Sequence, residues 1–296
     1  MKRPNLIFCL FTLWSLSACE KTVDFKLDET APKLVVEATI ENGQPPVVSL
    51  SSSIGFFSRI DPVTLGASFV HNAEVFISNG TRTHRLKEYT VSLGGGFNLY
   101  YYSVDPSDPA TLFNGELNGR YSLRIVSDGK EYTALTTIPD TTRRIDSLYW
   151  KPAPPGNSES KVMLMMRASD KPGFGDYIRY FTKRNWEMFY PGLNSVYDDQ
   201  IIDGTTFEVQ VERGVDRNEG AQGEGYSFFD KGDTVTLKLC NIDKATYDFW
   251  RTMEFNYVSV GNPFSTPTRV VSNIRGGALG YFGGYGAKYR TVIIPR

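Results

Sequence analysis

Hydrophobic and polar residues alternate with a period of two along most of this chain, the pattern of strands that bury one face. Lys33 to Ile40 is rich in β-branched residues and stops at the turn pair Asn42-Gly43; Pro46 to Ser53 predicts a second strand. Phe69 to Ser78 alternates at Ala73, Val75 and Ile77 before Asn79-Gly80, a strong hairpin turn, and Thr83 to Tyr89 predicts the returning strand. The clearest hairpin sets Tyr121, Leu123 and Ile125 against Arg120, Ser122 and Arg124. It turns at Asp128-Gly129 and returns through Tyr132, Ala134 and Thr136. Strands at this spacing predict an immunoglobulin-like β-sandwich over residues 32–140. Beyond a junction at 140–146, runs at 147–150, 161–168, 176–190, 205–211, 233–239 and 289–294 predict a second β-rich domain over 146–296, sandwich-like or barrel-like. One segment breaks the alternation. Apolar residues at 242, 245, 249, 250 and 253 follow helix spacing behind Asp243 as N-cap, so the domain should carry one helix near 243–258. The expected class is mainly β.

The first residues have a different character. Lys2 and Arg3 precede an apolar run from Leu6 to Leu16, too short to span a bilayer as a helix. It ends in Leu16-Ser17-Ala18-Cys19, which resembles a bacterial lipoprotein signal: an aliphatic residue, two small residues, then cysteine. The resemblance implies a signal peptide over 1–18, cleavage after Ala18, acylation (a palmitate-type modification) at Cys19, and a polar tether over 19–31. Several acyl chains hold a protein firmly to a membrane where one holds it marginally. Glu20 and Asp24 behind the cysteine loosely resemble the surface-export tags of Bacteroidetes lipoproteins. The expected location is therefore the outer membrane, with the cell surface as the favoured side.

Composition narrows the function classes. With 41% hydrophobic and 22% charged residues the chain can bury a core, which excludes wholesale disorder. A net charge of -1 gives no general attraction to nucleic acid. Losing Lys2 and Arg3 with the signal would take that charge to -3. Cys9 would leave with the signal and Cys19 would carry lipid, so Cys240, in the alternating run Val235 to Cys240, is expected as a buried small hydrophobe.

Candidate chemistry is sparse. The glycines at 276, 277, 280, 283, 284 and 286 match neither the dinucleotide fingerprint nor a P-loop; interleaved with Tyr281, Phe282 and Tyr285, they predict bulges or close strand packing, and Gly94-Gly95-Gly96 predicts a loop tip. His71 and His84, expected near exposed strand edges, have no Gly-x-Ser-x-Gly elbow and no ligand spacing beside them. Asp198, Asp199, Asp203, Glu208, Glu212, Asp216, Glu219, Glu224 and Asp230 could perform hydrolysis only if the fold pairs two of them, and Asp105, Ser107 and Asp108 lack the EF-hand pattern. No catalytic, cofactor or metal residues are assigned. Aromatics placed near loops, Phe56-Phe57, Tyr100-Tyr101-Tyr102, Tyr226, Phe228 and Phe229, are the candidates for ligand or interface contact.

Landmarks across the chain resemble the Bacteroidetes lipoprotein family designated DUF4249. They are Cys19-Glu20-Lys21, Pro32 to Glu37, Tyr121 to Tyr132, Ile145 to Leu148, Gly232-Asp233, Gly261 to Phe264, and Asn273-Ile274 through Gly276-Gly277 to Gly280-Tyr281-Phe282. The resemblance implies an outer-membrane lipoprotein associated with TonB-dependent receptors of the SusC type, and it carries over no catalytic residues. The expected function is a non-enzymatic accessory or binding component of such a transporter in nutrient uptake. A surface glycan-binding module or adhesin is the alternative, with a carboxylate-based hydrolase behind it.

Overall fold

The computed structural model describes residues 31–55, 61–94, 97–218, 223, 225–259, 262, 264–266 and 268–296. The expected signal peptide, Cys19, the tether up to residue 30, Phe56-Phe57, Gly95-Gly96, Glu219, Glu224, Gly261 and Pro263 lie outside the described residues.

One eight-stranded sheet forms a floor beneath the whole of Pro32–Arg296, which is a single unit. Its order is β12 (Tyr190–Tyr197), β11 (Tyr177–Arg184), β15 (Thr234–Ile242), β16 (Leu279–Ile293), β1 (Leu34–Glu41), β2 (Val47–Ser52), β6 (Asn98–Ser103) and β5 (Lys87–Ser92). The central pair, β1 with β16, is parallel, with Val35 opposite Leu279 and Glu41 opposite Tyr285. Two smaller sheets pack on this floor. The first is β4 (Thr83–Arg85), β3 (Glu74–Ser78), β7 (Arg120–Ser127) and β8 (Lys130–Thr137); the second joins β13 (Thr206–Val211), β10 (Lys161–Ser169) and β14 (Phe229–Asp230), with β9 (Arg144–Pro152) on β10 as well.

Side-chain alternation assigns the layers. Phe282 packs in the first core with Val36, Ala38, Ile40, Leu123 and Ile125, and Val292 packs against the second with Leu164, Leu237 and Leu239. The two residues are ten apart in one strand, an even number, so both cores lie on the same face of the floor. Tyr281 and Tyr285 point to the opposite face, where helix α2 (Lys244–Ser259) covers them with Tyr247, Phe249 and Trp250. Asp243 caps α2 by accepting the Thr246 N–H at 2.8 Å, and its other oxygen accepts from the Thr136 hydroxyl and the Thr137 N–H of β8.

The glycines of β16 have a steric reason. A Cβ on Gly284 would meet the Thr137 carbonyl oxygen at 2.3 Å, and one on Gly286 would meet that of Pro139 at 2.4 Å. The chain passing from β8 to β9 thus lies directly on the bare face of the floor strand. At Gly280 the backbone also adopts φ +96°, and a Cβ would overlap the Val36 carbonyl at 1.9 Å.

The mainly β class and the helix at 244–259 agree with the sequence expectation. Several boundaries do not. The strand expected from Phe69 begins only at Glu74 as β3, and a short helix with no sequence expectation, α1 (Pro62–Ser68), started by an Asp61 cap, ends just before Phe69. The return strand splits around Leu86, which turns inward and is buried. The 176–190 run is a strand, a turn with Asn185 at φ 50°, and the start of β12. The terminal strand begins ten residues before Tyr289, and its glycines, which carry little strand propensity, hide that first part from the sequence pattern. The barrel alternative is corrected: among the described residues no sheet closes on itself. The expected boundary at 140–146 falls where the chain crosses from the first core to the second, both of which rest on β16.

If close backbone approach is what β16 requires, Gly284→Ala should destabilise the protein by about 1–3 kcal/mol through overpacking. Gly66→Ala, in α1 with open space around it, should be neutral or stabilising by up to about 1 kcal/mol. Urea denaturation of both variants checks this; equal effects would contradict it.

Candidate functional site

Between the β10–β13 sheet and strands β11, β12 and β15 of the floor lies a cavity of about 700 Å³, within the size range of small-molecule sites. Its wall is aliphatic and aromatic: Met166 from β10, Ile178 and Tyr180 from β11, Val196 from β12, Phe207, Val209 and Val211 from β13, and Leu237 and Leu239 from β15. Alternation explains the apolar residues of β11, β13 and β15 in this set, which recur at every second position. Polar groups stand on the rest of the wall. Asp198, Gln200, Gln210 and Glu208 line it with Tyr247 and Arg251 of α2. Burial pushes the Tyr197 phenol up to about 12, and holds that of Tyr180, stacked on it at 6.3 Å, well above its usual value. Both rings therefore stay neutral and act as walls.

Arg143 also lines the cavity and is its most unusual member, because it is completely buried. Its Nε donates to Asp170 Oδ1 at 3.1 Å, both side chains being at most 1% exposed. Arg143 Nη2 and Asp170 Oδ2 have no hydrogen-bond partner. Buried polar atoms are rarely left this way. Asp176 and Asp199 stand beside the pair, with one oxygen from each of the three carboxylates within 4.8 Å of the others. Asp199 Oδ2 accepts the N–H groups of Gly175 at 2.8 Å and Asp176 at 2.9 Å. Burial, then the charges of Asp170 and Asp199, raise the Asp176 carboxyl above its ordinary value against the lowering pull of Thr142 and Arg143.

The residues expected to contact ligand are dispersed. Phe229 is fully buried in the second core and Tyr102 is buried in β6, its hydroxyl bonding Glu88 and the Val70 carbonyl. The expectation of ligand or interface contact is corrected for both: each packs as a core side chain. Tyr100 and Tyr101 are half-buried in the same strand, against His71 and Tyr89. Tyr226 and Phe228 are half-buried before β14, with the Tyr226 hydroxyl on Glu212. The expected exposed His84 is buried against Phe113, while His71 pairs with Glu88 at 2.5 Å. Asp105 is occupied by Ser107 and Lys87, and Asp108 caps a short 3-10 turn. Cys240 is buried, and burial pushes its thiol up to about 12, as expected of an unreactive core cysteine. Of the hydrolytic candidates, Asp198 and Glu208 reach the cavity, where Asp198 accepts from the Tyr247 hydroxyl and Glu208 from that of Tyr149. Asp170 and Asp176 were not singled out by sequence. A pair of aspartates flanking Lys-Pro-Gly-Phe-Gly is the one local signal, and Asp199 joins them from the loop after β12.

The model of a family described as a domain of unknown function (DUF4249) matches residues 20–291. No curated protein matches the chain.

Removing one member of the buried pair should be costly. Arg143→Met leaves Asp170 buried and unpaired, a loss of about 3–5 kcal/mol, whereas Arg143→Met with Asp170→Leu should recover most of it. Chemical denaturation of the single and double variants tests this, and a double variant less stable than the single would contradict it.

Proposed function

The chain belongs to the DUF4249 family, and on that premise we propose that it is a lipid-anchored outer-membrane binding protein. In this reading it holds a small, mostly apolar molecule and presents it to a TonB-dependent transporter of the SusC type, without being an enzyme. The observation that carries the reading is the cavity of about 700 Å³, whose lining is more apolar than polar. Such a wall binds through the hydrophobic effect, and its polar groups set orientation. Arg143 adds a buried donor without a partner, suited to an acceptor at one end of the bound molecule.

Leu16-Ser17-Ala18-Cys19 supports the lipid anchor. Among the described residues no helix is long and apolar enough to cross a membrane, so the lipid on Cys19 supplies the membrane hold in this account.

Affinity purification of the full chain after mild detergent extraction should bring down a TonB-dependent transporter, and a lone monomer would contradict the partner. For the cavity, anilinonaphthalene sulfonate, an apolar ring system with an anionic acceptor, should fluoresce on binding. Val209→Trp, which fills the cavity from β13, should remove most of that signal; an undiminished signal would contradict the cavity as the binding place.

A further inference from the structure

Three carboxylates meet where β10 ends, β11 begins and β12 ends. Asp170 follows β10 directly, Asp176 precedes β11, and Asp199 lies two residues beyond β12. One oxygen of each lies within 4.8 Å of the other two, and Asp170 and Asp199 are only 7% and 2% exposed. Like charges held this closely away from water repel one another strongly. Among the described residues the one ion pair that any of the three makes is Asp170 with Arg143, so a single guanidinium opposes three carboxylates.

A second observation is independent of that convergence. The Asp170 side chain is fully buried, and Arg143 engages only its Oδ1; Oδ2 has no hydrogen-bond partner at all. A charged oxygen that has lost water and gained nothing needs a partner. The Asp176 and Asp199 carboxylates beside it cannot serve while ionised, since they bring acceptors and no proton. What would satisfy this oxygen and offset the surplus charge together is a cation.

We infer that Asp170, Asp176 and Asp199 form a binding site for a hard divalent cation, with Ca²⁺ the best fit. The donors are all oxygen, which favours Ca²⁺ and Mg²⁺ over the softer metals that imidazole and thiolate select. Ca²⁺ accepts six to eight oxygens in flexible geometry and takes backbone carbonyls readily, whereas Mg²⁺ demands a near-ideal octahedron. The cation would tie the 171–175 loop to the 199–204 loop. These are already joined by Asp199 to Gly175 and by Asp203 Oδ1 to the Gly173 N–H at 2.6 Å. Gln200, Ile201 and Ile202 of the second loop line the cavity, so the ion would fix one of its walls. The site stands whether or not the cavity binds a ligand.

The test is calorimetric titration of CaCl₂ into the full chain stripped with a chelator and returned to metal-free buffer. The wild type should bind one Ca²⁺ and gain thermal stability. Asp176→Asn, which alters the half-buried member and spares the Arg143 pair, should weaken binding at least about tenfold, the smallest loss typical even of an outer-shell partner. No binding by the wild type, or equal binding by the variant, would overturn the assignment. Should the variant fail to fold, amide exchange in the wild type decides: Ca²⁺ should slow exchange across 171–176 and 199–204, and unchanged exchange there would overturn it.

Discussion

The contact between a strand stripped of side chains and the backbone that crosses it organises this protein. Gly284 and Gly286 leave one face of β16 bare, and the carbonyls of Thr137 and Pro139 rest where their Cβ atoms would stand. That crossing lets the chain pass from the first small sheet to the second while both remain on a common floor. The same strand pairs in parallel with β1 on one edge and antiparallel with β15 on the other. The first and last strands are therefore neighbours in the middle of the largest sheet. On the opposite face Gly283 performs a related service, since a Cβ there would crowd Thr246 at the start of α2.

Two buried charged clusters in the second half differ in how many carboxylates they gather. Arg179 donates to Ser195 at 3.0 Å and to the Tyr285 hydroxyl at 3.3 Å, and lies 3.4 Å over the Trp250 ring. Glu254 accepts from the Ser195 backbone and hydroxyl and from Arg217. Most of these partners come from β11, β12, β16 and α2, so the network fastens the helix to the floor, although Arg217 Nε is left without a hydrogen-bond partner. The Arg143–Asp170 pair sits in the same half, yet leaves an oxygen and a nitrogen without partners beside a cavity and two more carboxylates. It is the convergence of three carboxylates on one guanidinium that sets this cluster apart.

Much of the fold was legible because it depends on local periodicity. The Tyr121–Thr136 hairpin, the strand at 161–168 and the helix behind Asp243 announce themselves by alternation, turn chemistry and helix spacing. The glycine–aromatic run announced close packing, but its identity as the first part of a fifteen-residue strand was hidden, because glycine weakens the pattern that marks strands. The site was less legible. Alternation tells which residues of β13 share a face and cannot tell that Phe207, Val209 and Val211 face Leu237 and Leu239 of another sheet. The aromatics near loops misled for the opposite reason. Tyr102 and Phe229 look exposed beside polar neighbours, yet each sits on the inward face of a strand whose partner lies far away in sequence. Asp170, Asp176 and Asp199 become a cluster only when three strand ends meet.

The central claim is that β16 makes the two halves one cooperative body, so that cavity and carboxylate cluster sit in a frame rather than on a hinged domain. Native-state amide exchange with increasing denaturant measures this directly. The account predicts that amides of β1, β16 and β15 share one opening free energy equal to that of global unfolding. If β1 and the first small sheet instead opened while β10, β11 and β15 stayed protected, the halves would be separate domains and the claim would be contradicted.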